Sequence, residues 1–101
     1  MPRKIPPTHP GEILREEFMK PFGLSAHALA TDLALPATRI GDIIHQRRSI
    51  TPETAIALAE YFGTSVEFWL GIQMQYDRET VEDEIGSDVR KRVRRRELVA
   101  G

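Results

Sequence analysis

An all-α fold of five short helices is predicted by three observations. Apolar residues recur at helical spacing, cap and stop residues bound each run, and no stretch alternates convincingly in the manner of a strand. With 101 residues, 41% of them hydrophobic and 29% charged, the chain has material for one compact domain with a modest core and tails, and too little for two.

Taken in order, residues 1 to 9 carry Pro2, Pro6 and Pro7 with Arg3 and Lys4, a composition that favours an extended surface arm. Pro10 to Lys20 opens on Pro and Gly, has Glu12 in its first turn and places Leu14 and Phe18 at i and i+4, which predicts a first amphipathic helix stopped by Pro21 and Gly23. Ser25 is placed to cap a second helix with Leu29, Ala30 and Leu33 on one face. Pro36, after Ala34 and Leu35, marks the start of a third, in which Ile40, Ile43 and Ile44 form an inward stripe. Thr51-Pro52-Glu53 begins a fourth, with Ala55, Leu58, Ala59 and Phe62 on one face and Gly63 as the left-handed stop. Ser65 caps a fifth, where Phe68, Trp69, Ile72 and Tyr76 are spaced for burial. Trp69, Phe68, Tyr76 and Met74 read as core, the other reading being a docking stripe or a dimer seam. Beyond Asp77 an acidic block (Glu79, Glu82, Asp83, Glu84) precedes a basic one (Arg90 to Arg96), interrupted by Gly86, so a charged extension, helical or disordered, is expected. The division predicted is therefore an arm over 1–9, a domain over 10–77 and an extension over 78–101. The basic run is open between nonspecific DNA affinity, an acidic partner and a solvated tail.

Helices two and three, joined through Ala34 and Leu35, have the spacing of a helix-turn-helix, with small Ala30 where the two must cross closely. Thr38, Asp42 and His45 at i, i+4 and i+7 share the outward face of the third helix, flanked by Arg39 and Gln46. Such a face suits a DNA major groove: Arg forks onto guanine, Asp accepts from cytosine N4, and Thr touches a thymine methyl. Candidate base contacts are Ala37, Thr38, Arg39, Asp42 and His45; the plainer alternative is a solvated helix face, with Asp42 merely pairing with Arg39. Candidate phosphate contacts are Ser25 and His27 at the start of the second helix, with Arg47, Arg48 and Thr51 beyond the third.

A net charge of −1 argues weakly against a nucleic-acid binder, yet the acidic and basic blocks nearly cancel and hide local basicity. Near the reading helix stand Arg39, Arg47 and Arg48, opposed in this reading by Asp42 alone. There is no cysteine, and His9, His27 and His45 have no ligand spacing on one helix, so no metal site and no cofactor are expected. No phosphate loop or nucleophile elbow is present, and an enzyme is not expected. Neither a signal-type stretch nor a membrane-length apolar run occurs, so a cytoplasmic protein with no membrane partner is expected.

His9-Pro10-Gly11-Glu12-Ile13-Leu14, Arg39-Ile40, Arg47-Arg48-Ser49-Ile50-Thr51, and Trp69-Leu70 with Gln73 and Tyr76-Asp77 together resemble the HigA antitoxins, a branch of the XRE or Cro/C1-type helix-turn-helix family. The resemblance covers about residues 9 to 77. It implies a five-helix, lambda-repressor-like domain, a homodimer on a palindromic operator in its own promoter, and a partner toxin that cleaves messenger RNA on the ribosome. The chain departs from many relatives where His45 and Gln46 stand in place of Asn-Gly before the paired arginines, and where Ala26 and His27 replace a phosphate-bracing glutamine. A stand-alone regulator without toxin and an interaction module that has lost DNA binding are the alternatives.

Overall fold

The computed structural model describes residues 5–97, so residues 1–4 of the predicted arm and 98–101 of the predicted extension lie outside the described residues. The described residues are helical throughout their ordered elements, with no strand among them. α1 covers Pro10–Ile13, α2 Ala26–Leu33, α3 Ala37–Ile44, α4 Pro52–Phe62, α5 Val66–Val81 and α6 Ser87–Arg92.

The caps fall where the sequence places them. Ser25 Oγ accepts from the Ala28 amide at 3.0 Å, Ser65 Oγ from the Phe68 amide at 3.0 Å, and Thr51 Oγ1 from the Thr54 amide. Gly23 and Gly63 end their segments at φ 64° and 69°. Leu14, Leu29, Ile40, Ile43, Leu58 and Trp69 are fully buried and form the centre of one core. Trp69 also donates its indole N–H to Thr64 Oγ1 at 2.7 Å, so its polar edge is satisfied at the core boundary.

Three expectations are corrected. The first helix is not regular: after Ile13 it widens into π-type turns over Leu14–Met19 and tightens into a 3-10 turn over Lys20–Phe22. The wider turns bury Leu14 and Met19, five residues apart, and leave Phe18 half-buried against Phe62 and Trp69. Pro36, by contrast, marks the start of α3 as expected, standing at its N-cap in extended conformation (ψ 139°). Of the aromatic and methionine stripe only Trp69 is core; Phe68 is 38% exposed and Met74 70%, while Tyr76 is half-buried.

Gly86 does not interrupt the last helix. Its backbone is helical at φ −54°, and α5 continues through a wide turn, Glu82–Gly86, into α6, so of the two forms open for the extension it is helical as far as Arg92. The reason is local: Glu82 and Arg90 pair across Gly86, and a Cβ there would lie 2.9 Å from the Glu82 carboxyl carbon. Absence of a side chain makes room for the ion pair, and the pair spans the weak point of the helix.

Candidate nucleic-acid interface

α3 is held from behind by its three isoleucines, of which Ile40 and Ile43 are wholly buried. α1 presses on it with backbone: a Cβ built on Gly11 would lie 1.8 Å from the Ile43 carbonyl oxygen, so no other residue fits there without moving a helix. The small-residue crossing with α2 is as expected, with Ala30 almost fully buried.

His9 fixes the start of α1. Its Nδ1 accepts from the Gly11 amide at 2.9 Å, and its ring meets Tyr76 edge-on with centroids 4.8 Å apart. Burial holds the imidazole below its ordinary pKa, a shift that the charge of Asp77 partly opposes. An accepting Nδ1 requires the neutral ring, with the proton on Nε2.

The loop after α3 is anchored to α5. The buried Gln73 of α5 takes the Ile50 amide on Oε1 at 2.8 Å and donates Nε2 to Asp77 at 2.9 Å. Between α3 and that anchor the chain turns without glycine, through Gln46 at φ 62°, with the Arg47 amide donating to the Asp42 carbonyl at 2.7 Å. The connection into α3 does the same through Ala34 at φ 56°.

On the front of α3, Ala37 and Thr38 are exposed. Arg39 Nη1 donates to Glu53 Oε1 at 2.6 Å, and Arg47 Nη2 to Asp42 Oδ1 at 3.0 Å. Asp42 therefore pairs with Arg47, not with Arg39. It is also not the sole opposing acid, because Glu53 in the first turn of α4 reaches the same face. Of the three nearby arginines, two are tied by carboxylates, and Arg48 is exposed with no ion pair among the described residues. His45 lies at the C-cap of α3, where Nδ1 meets the Gly41 carbonyl at 2.7 Å. A carbonyl only accepts, so Nδ1 carries a proton and the outer nitrogen is the one available to a ligand.

The expected phosphate contacts are arranged in two groups. Ser25 caps α2, and His27 is exposed one residue inside that helix. Arg47 and Arg48 are exposed in the loop, and Thr51 is exposed at the start of α4 with its hydroxyl directed to Thr54 Oγ1 at 3.3 Å. The unpaired amides of a helix's first turn add donors at both starts. Glu53, Gly11, His9 and Gln73 are the residues that reading the chain alone missed as parts of this site. The first acts across a loop and the others from behind, and the motifs around His9 and Gln73 marked their positions without giving a role.

The family model described as Helix-turn-helix matches residues 16–69. The chain belongs to the XRE-type helix-turn-helix family. Virulence-associated protein I of Dichelobacter nodosus is 48% identical over 81 residues, which cover 80% of this chain and 75% of that protein. A HigA-family addiction module antidote protein from Coxiella burnetii superposes with a TM-score of 0.86 at 42% identity, over 91% of this chain and all of that one. The Pseudomonas aeruginosa antitoxin HigA, solved with the higBA promoter, superposes with a TM-score of 0.84 at 39% identity, over 87% of this chain and 96% of that one. Within its family the chain belongs among the HigA antitoxins. No helix among the described residues is long and apolar enough to cross a membrane.

Proposed function

We propose that this chain is a homodimeric, cytoplasmic repressor and antitoxin that reads a palindromic operator in its own promoter through α3 and neutralises a cognate toxin by binding it. The observation that carries the DNA half is the match to a HigA protein solved on its promoter, combined with an α3 whose apolar side is buried and whose polar side faces solvent. In this reading Ala37, Thr38, Arg39, Asp42 and His45 face base edges. Ser25, His27, Arg47, Arg48 and Thr51 hold the backbone, and the two α3 helices of a dimer enter successive major grooves about 34–36 Å apart. Nothing in this mode of action breaks or forms a covalent bond; the protein works by occupancy. The toxin half rests on the family alone, and the proposed toxin cleaves messenger RNA on the ribosome.

Mobility-shift titration of the duplex upstream of the chain's own gene tests the DNA half, with a shift expected that weakens steeply as salt rises. Co-purification with the product of the neighbouring small reading frame tests the other. A neighbour that is harmless when expressed alone, or that does not bind this chain, removes the antitoxin reading and leaves a repressor.

A further inference from the structure

We infer that Glu53 is a positioning residue for base readout by Arg39, a role that rests on α3 being the reading helix. Three observations converge on it. Arg39 and Glu53 meet at 2.6 Å, in the range of a strong charge-assisted bond. The partners differ in freedom: the Arg39 side chain is only 24% exposed, whereas that of Glu53 is 70% exposed. Glu53 also stands on a fixed base, directly after Pro52 and two residues after the Thr51 cap, in the first turn of a helix packed into the core. Packing therefore restrains the stem of Arg39, and the carboxylate restrains the plane of its guanidinium.

That restraint has a specific use. A guanidinium offers five N–H donors in a rigid fork, and one bond to Glu53 leaves the remaining edge for the two acceptors of a guanine. An arginine free to rotate contacts any phosphate within reach; one held in a plane favours the base that fits the plane. The same carboxylate repels phosphate, so it weakens binding to every duplex. The pair thus lowers general affinity and raises discrimination, as expected when unfavourable contacts serve specificity.

The test compares wild type, Glu53→Ala, Glu53→Gln, Arg39→Ala and the double variant Glu53→Ala/Arg39→Ala. Two probes are used: a duplex enriched by the wild-type chain from a randomised pool long enough for two half-sites, and the same duplex with its base pairs shuffled. Glu53→Ala is expected to bind the shuffled duplex several-fold tighter and the enriched duplex no tighter, cutting the ratio of affinities about tenfold, a change on the scale of one bidentate base contact. Glu53→Gln, which still accepts a hydrogen bond, keeps part of that ratio. In the Arg39→Ala background, removing Glu53 shifts both probes by the same factor. If Arg39→Ala lowers the ratio while Glu53→Ala moves both probes equally, the positioning role is overturned and Arg39 remains a reader. If Arg39→Ala leaves the ratio unchanged, or no duplex is enriched, the reading beneath the inference fails and takes the inference with it. A merely structural Glu53 would lower melting temperature and leave the ratio intact, so melting curves accompany each titration.

Discussion

On its inner side α3 is fixed by Ile40, Ile43, Ile44 and the backbone of Gly11, whereas on its outer side Arg39 and Arg47 are tied by carboxylates that water reaches. The inner contacts bury apolar surface and leave no spare volume, so they set where the helix lies and contribute most of its stability. The outer ion pairs are exposed and contribute little to folding, within about 1 kcal/mol each. Altering them therefore changes how the face meets DNA with little effect on the fold. Placement and reading are supplied by different residues, and substitutions should separate them.

The largest effect is expected at the back. Gly11→Ala drives a methyl group into the Ile43 carbonyl and should cost about 3 kcal/mol or more, seen as a large fall in melting temperature and loss of DNA binding with it. Next comes Gln73→Leu, which strands the buried Ile50 amide and should cost about 1–3 kcal/mol in denaturant unfolding. A smaller and opposite change is expected at the two turns flanking α3. Ala34→Gly and Gln46→Gly relieve left-handed residues that carry a Cβ and should each gain about 0.5–1 kcal/mol. An unchanged or lowered midpoint in both would show that the turns are not strained.

The His9 cap makes stability depend on pH. Its folded pKa lies below the ordinary value of 6.5, so the unfolded chain binds the proton more readily. The contribution is complete above that value and is lost as pH falls through the lower, folded pKa. Melting temperature should therefore decline from about pH 6.5 toward the carboxylate range, and His9→Asn, which retains a capping oxygen, should flatten that decline. Equal slopes in the two proteins would remove His9 as the cause.

Much of the scaffold is legible in the chain because it is local. Ser25, Thr51 and Ser65 cap, Gly23 and Gly63 stop, and the isoleucines of α3 lie at helical spacing, all within a few residues of one another. What escapes is made by contacts between distant positions. Gly11 looks like an ordinary helix-start glycine until it meets Ile43, and Gln73 like a surface amide until it meets Ile50. The acid of Glu53 reads as a favourable first-turn charge, and only the fold brings it fourteen residues back to Arg39. Gly86 escapes for the converse reason: its weak propensity is real, but the Glu82–Arg90 pair closes over it. The outward face of α3 was visible from periodicity alone, while the pairing of its charges was not.

The separation of placement from reading is tested most directly by measuring DNA affinity and melting temperature together for Arg39→Ala on the duplex upstream of the chain's own gene. Affinity is expected to fall by about 1–3 kcal/mol, with unfolding free energy changed by no more than about 1 kcal/mol. Undiminished affinity, or affinity that falls only in step with stability, would contradict that separation.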